Sequence, residues 1–177
     1  ELRQLENKQW EQITLPHTPF VEPLTVLHQW QGICYYKKKI TITPEEAKKH
    51  IWIEFEGAMH LADVWINGKY VMQHAGGYTP FVVDATGLLK TGKENELLVR
   101  LDNRNNSLIP PGKPLETLDF CYYGGIYRNV HLIAKADVHI THPILDGHPA
   151  GAGIFITYPK VSQELSVVDA KTEIKKI

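Results

Sequence analysis

Asp119 and the residues after it, Phe120-Cys121-Tyr122-Tyr123-Gly124-Gly125, place a carboxylate and three aromatic rings just before the strand-like run that reaches Val130-His131-Leu132. These residue types suit contact with a sugar. An ionised carboxylate accepts hydrogen bonds from ring hydroxyls, and aromatic faces cover the apolar C–H side of a ring. Paired glycines reach backbone angles closed to other residues, so the chain can turn sharply at Gly124-Gly125 and leave Asp119 at the mouth of the turn. Taken alone, a carboxylate beside turn glycines is more often an ordinary turn device.

Other constellations are weaker. Glu54 and Glu56 lie two apart on a strand and project from one face roughly 7 Å apart. The carboxylates of a glycosidase flank a cleft from different elements, so this pair reads as the wet face of a strand. Nine histidines invite a metal, yet their spacings do not converge ligands, and His139 and His142 are expected on opposite faces of a strand. No G-x-S-x-G, G-x-x-x-x-G-K-[ST] or G-x-G-x-x-G motif occurs, which leaves serine hydrolysis and nucleotide chemistry unsupported. Cys34 and Cys121 lack C-x-x-C form and are read as free, mostly buried thiols.

The elements that must position Asp119 are strands. Gly32 to Thr43 is rich in aromatic and β-branched residues, with Lys37 to Lys39 suited to a sheet edge. Pro44 to His50 reads as a short turn, and Ile51-Trp52-Ile53-Glu54-Phe55-Glu56 alternates, with Ile51, Ile53 and Phe55 inward. Ala62 to Ile66 and Lys69 to Met72 flank Asn67-Gly68, the strongest short hairpin signal, because both central residues take positive φ. Phe81 to Asp84 and Asn95 to Asn103 are further strands. Asn103 to Thr117, with Pro110, Pro111, Gly112 and Pro114, is a long loop, and loops of that length in a compact domain are usually functional or disordered. Ile126 to Ala134 and Val138 to His142 are expected as strands, followed by Ile154 to Tyr158 and Leu165 to Val168. Residues 1 to 29 should run over the sheet surface, anchored by Trp10 and Ile13. Short strands with hardly any helical period predict an all-β sandwich.

The 177 residues allow one sizeable domain and the beginning of another. We expect a first domain over 1–142 and, over 143–177, a linker with the first strands of a second β-domain. Lys and Arg number 19 against 20 Asp and Glu, which favours a neutral ligand over nucleic acid or an anionic membrane. No apolar run approaches the ~20 residues of a membrane span. A start without Met and an end in a charged, strand-like stretch suggest a piece of a longer chain, so periplasmic and cytoplasmic locations both stay open.

A set of short motifs in fixed order resembles the N-terminal sugar-binding domain of glycoside hydrolase family 2, the family of β-galactosidase, β-glucuronidase and β-mannosidase. They are Trp10 with Leu15-Pro16-His17-Thr18, Gly32 to Tyr36, Phe55-Glu56-Gly57, Val64-Trp65-Ile66-Asn67-Gly68, Gly76-Gly77-Tyr78-Thr79-Pro80-Phe81, Asp84-Ala85-Thr86, Val99-Arg100-Leu101-Asp102-Asn103 and Gly124-Gly125-Ile126-Tyr127-Arg128-Asn129-Val130. The resemblance covers about residues 10 to 142. It implies a jelly-roll, galactose-binding-domain-like sandwich, followed in the parent by an immunoglobulin-like domain, which 143–177 would begin, and then a (β/α)8 barrel. Both catalytic glutamates would lie on that barrel, so no catalytic residue is expected in this chain and no cofactor either. In the β-galactosidase branch an Asp a few residues before G-I-[FY]-R approaches the galactose and a monovalent cation; here that is Asp119. An Asn of the early proline-rich segment also reaches the site in that branch, and the matching position is His17, a departure in residue type. The implied ligand is a terminal β-linked sugar, with a galactoside favoured, and the implied partner is the parent's own barrel, in a parent that the resemblance allows to be homo-oligomeric. A stand-alone carbohydrate-binding or scaffolding sandwich is the alternative.

Overall fold

A computed structural model describes residue 5 and residues 9–21, 29–120, 122–147 and 152–176. Among these there is no α-helix, only 3-10 turns at Glu46–Lys48 and Leu115–Thr117. Hence none is long and apolar enough to cross a membrane. Two antiparallel sheets face each other as a jelly-roll sandwich. One holds β1 (Ile33–Ile40), β6 (Asn95–Asp102), β3 (Leu61–Ile66) and β4 (Lys69–Ala75), in that order. The other holds β5 (Phe81–Asp84), β2 (His50–Phe55) and β7 (Val130–Lys135).

Alternation puts the aliphatic side of each strand between the sheets. Ile51, Ile53 and Phe55 of β2 meet Val64 and Ile66 of β3, Phe81 and Val83 of β5, and Val99 and Leu101 of β6 in one core. Phe55 and Phe81 stack with centroids 4.5 Å apart. Each such side chain contributes roughly 1.5–3 kcal/mol on burial. Asn67 (φ 52°) and Gly68 (φ 75°) form the expected hairpin turn. Strand β1 is an edge strand, and Lys37, Lys38 and Lys39 are exposed along it. Cys34 is a free thiol, and burial pushes its pKa up to about 12, which keeps it protonated and inert. Cys121 lies outside the described residues.

Four expectations are corrected. Strand β1 stops at Ile40, where the chain leaves the sheet for the 3-10 turn. Strand β7 starts at Val130, not Ile126, because the residues between make other bonds: Tyr127 Oη donates to Gly77 O and the Asn129 N–H to Glu56 Oε2. The outer face of β2 is not simply wet, since Trp52 is 5% exposed. His139 and His142 do not diverge either: both rings meet Trp52 edge-on, at 5.2 and 5.5 Å. Strand β8 ends at Ile140, so His142 is free of strand alternation and also reaches Glu54 at 3.5 Å. Beyond it, β9 (Ile154–Val161) pairs with β10 (Ser166–Thr172), and β11 (Ile174–Lys176) pairs back onto β8 (Val138–Ile140).

The register also sorts the loops. Ile33 and Leu61 both pair with Asp102, and Leu61 with Ala75, while Phe55 pairs with Phe81 and Val130. The approach to β1 and residues 56–60, 76–80 and 103–129 therefore gather at one end of the sandwich. The connections 41–49, 67–68 and 85–94 gather at the other.

Candidate functional site

Residues 103–129 form the largest connection at the crowded end, and polar anchors hold it. Asn103, 2% exposed, accepts from the Gly32 N–H at 2.8 Å and donates from Nδ2 to Trp30 O at 3.0 Å. Asn105 Oδ1 takes the Leu115 N–H at 2.9 Å and Gln31 Nε2 at 2.8 Å. A Cβ at Gly124 would stand 2.7 Å from Asn103 Nδ2, so that glycine is required by space. At Gly125 the need is double. Its φ is +98°, and a Cβ would meet Tyr36 Oη at 2.5 Å and His17 O at 2.6 Å.

Tyr122 fastens the centre of the loop. It is 4% exposed, its hydroxyl lies 2.5 Å from His60 Nδ1, and its N–H donates to Gln29 Oε1. His60 is itself 3% exposed. Burial lowers its pKa, only partly opposed by the Asp102 charge, which leaves a neutral ring. Asp119 stands exposed above these anchors. Among the described residues its carboxylate makes no hydrogen bond or ion pair, so it does not cap its own turn. Phe120 and Tyr78 are exposed on the same end, and Tyr78 meets Tyr122 edge-on at 6.3 Å. The loop-bearing end thus presents a carboxylate acceptor together with exposed aromatic surface.

His17 is tied into the same scaffold. Its N–H donates to Ile126 O at 2.8 Å, and its Nδ1 lies 2.9 Å from Tyr36 Oη, leaving Nε2 as the nitrogen a ligand could use. Glu56 anchors the entry to β7, with Oε1 3.1 Å from His131 Nε2; the hydrogen bond from His131 is the main reason its pKa is lowered. Glu54 and Glu56 therefore have different partners and no shared cleft. Among the described residues no three His, Cys, Asp or Glu side chains converge as metal ligands. Asp119 alone thus does not make up a cation site.

Sequence reasoning passed over His60. Its one signal is a histidine between Met59 and Leu61, in a connection too short to turn it to solvent. Beside it, Asp102 lies between two arginines: Arg100 Nη2 at 3.2 Å and Arg104 Nη2 at 2.6 Å. Burial alone would raise the pKa of Asp102, but the hydrogen bonds and charges of Arg104 and Arg100 win and lower it.

With this geometry in hand, comparison with known proteins is specific. Residues 9–136 match the family model described as glycosyl hydrolases family 2, sugar binding domain. A β-glucuronidase of Formosa agariphila is 32% identical over 179 residues, which cover 94% of this chain and 18% of that protein. A β-galactosidase of Thermoanaerobacter pseudethanolicus is 36% identical over 138 residues, covering 76% of this chain and 18% of its own length. Among solved structures, a putative β-galactosidase from Bacteroides fragilis superposes with a TM-score of 0.81 at 30% identity, over 98% of this chain and 25% of that one. Bacteroides uniformis β-glucuronidase 2, covalently bound to cyclophellitol-6-carboxylate aziridine, gives 0.77 at 32% identity, over 94% and 19%. The chain thus spans about a fifth of the length of such relatives.

Proposed function

Because this chain belongs to glycosyl hydrolase family 2, as its sugar-binding domain, we propose that it forms one wall of the substrate pocket of a larger, retaining exo-glycosidase. The observation that carries this reading is Asp119, an exposed carboxylate on a loop anchored to the sandwich through Asn103, Asn105 and Tyr122. In the parent, a (β/α)8 barrel outside this chain supplies two glutamates about 5 Å apart, one as nucleophile and one as acid and then base. Asp119 accepts hydrogen bonds from hydroxyls of the terminal sugar, and the exposed rings of Tyr78 and Phe120 lie on the same end to cover apolar sugar surface. Where the barrel excludes water, each hydrogen bond to the charged acceptor stabilises the complex by ~1.5–3 kcal/mol. His17 offers a second polar contact through Nε2. A monovalent cation at Asp119 would need further ligands from the barrel.

The preferred substrate in this reading is a β-galactoside. Among the described residues Asp119 has no cation paired with it, and an ionised carboxylate meets a neutral ring at lower electrostatic cost than an anionic one. The second reading, a β-glucuronide, is favoured by the relatives of that name, which match over 94% and 92% of the chain. Paired assays on nitrophenyl galactoside and glucuronide separate the two.

The test of the site is Asp119→Ala in the barrel-bearing protein. We expect kcat/KM for the preferred glycoside to fall by roughly one to two orders of magnitude, the kinetic equivalent of the lost contact, with Tm nearly unchanged. Unchanged kinetics would remove Asp119 from the pocket. A large fall in Tm would make it a structural residue.

A further inference from the structure

A polar cleft of about 540 Å³ opens beside the Asp119 loop, lined by Gln31, His60, Asp102, Arg104, Asn105 and Asn106. It sits where β1 begins, β3 begins and β6 ends, at the same end of the sandwich. Its volume falls in the ~300–1,000 Å³ range of small-molecule sites. Neither Asp119 nor His17 lines it. Resting on the reading of this domain as a glycosidase wall, we propose that the cleft binds a second, neutral sugar unit of a β-linked oligosaccharide, beyond the terminal residue held near Asp119.

Three observations carry this. First, the lining is already rigid: Arg104 grips Asp102 through Nε at 2.9 Å and Nη2 at 2.6 Å, and Gln31 grips Asn105 at 2.8 Å. Planar groups held in place contribute binding without a further ordering cost. Second, the charges cancel. Asp63 and Asp102 face Arg100 and Arg104 in one network, so an anion gains no net attraction, whereas amide, imidazole and guanidinium edges match the donors and acceptors of sugar hydroxyls. Third, the buried His60 has Nδ1 engaged by Tyr122. The ring is part of the cleft lining, so its other nitrogen is available to a sugar hydroxyl. Leu61 is the apolar part of the lining. With so small a platform for the C–H face, affinity should be in the millimolar range.

The experiment is a ¹H–¹⁵N NMR titration of the whole chain with lactose or cellobiose, and separately with glucuronic acid. We expect either disaccharide, at up to tens of millimolar, to shift the side-chain amides of Gln31, Asn105 and Asn106, and Arg104→Ala to weaken that response about tenfold. Gln31→Ala provides a second variant, and dispersion of the spectra shows that each variant is folded. The readout is the amides that line the cleft, which Asp119 does not, so the cleft is tested apart from the Asp119 reading. No shift with either disaccharide would overturn the proposal. So would a stronger response of the same amides to glucuronic acid.

Discussion

Tyr122 joins the Asp119 loop to His60 by one buried contact, and its removal separates support from chemistry. Tyr122→Phe keeps the ring but strands His60 Nδ1, an unsatisfied buried group that costs about 1–3 kcal/mol; urea denaturation should show a loss of that size. In the barrel-bearing protein the variant should lower kcat/KM less than Asp119→Ala does, since it loosens a support and removes no sugar contact. The histidines make a separate prediction about acid. Burial lowers the pKa of His60 and, as its largest cause, that of His74. The unfolded chain, with histidines near ~6.5, binds those protons first. Stability should therefore be fully present above about pH 6.5 and decline as pH falls through the slightly acid range. Tm measured from pH 7.5 down to 5 should fall, and NMR titration of the two rings should give midpoints below the ordinary value.

At the scale of elements, two glycines separate backbone strain from crowding. Gly68 and Gly125 both have positive φ, but a Cβ at Gly68 meets nothing within 4 Å, whereas one at Gly125 strikes Tyr36 and the His17 carbonyl. Gly68→Ala should cost about 1 kcal/mol, from backbone conformation. Gly125→Ala should cost distinctly more and shift the Tyr36 and His17 resonances; equal losses in denaturation would show that the loop gives way freely. The same contrast explains what was legible in the sequence. Asn67-Gly68 and the alternation of Ile51, Ile53 and Phe55 are local signals, readable without the rest of the chain. The start of β7 and the covering of Trp52 were not, because Tyr127, Asn129, His139 and His142 are placed by partners about 50 to 90 residues away. Asp119 was legible as a residue type in a motif. Its firm mounting was not, since Gln29, His60 and Asn103 converge on its loop only after folding.

The molecule as a whole is unevenly buried. The two sheets of the sandwich share a core, whereas β9 and β10 are exposed along nearly their whole length, with Ile154, Ile156, Tyr158 and Val161 all more than half exposed. Limited proteolysis should therefore trim 154–176 before any strand of the sandwich is cut, and the remainder should keep cooperative unfolding. Early cleavage within β1 to β7 would show that the sandwich depends on the tail. The chain by itself should hydrolyse no aryl glycoside, because the proposed reading puts nucleophile and acid on a barrel outside it; turnover that follows the chain through successive columns would refute this.

Segregation of the loops gives the sandwich an inert pole. Gly68, Gly87 and Gly92 all lie there, and a Cβ at any of them would meet nothing within 4 Å. A surface tether, a fluorophore or an affinity handle attached beside them would stand on the far side of the core from Asp119 and from the polar cleft. The domain can thus be immobilised in one orientation with its loop-rich end outward, for single-molecule or biosensor tests of the proposed sugar binding.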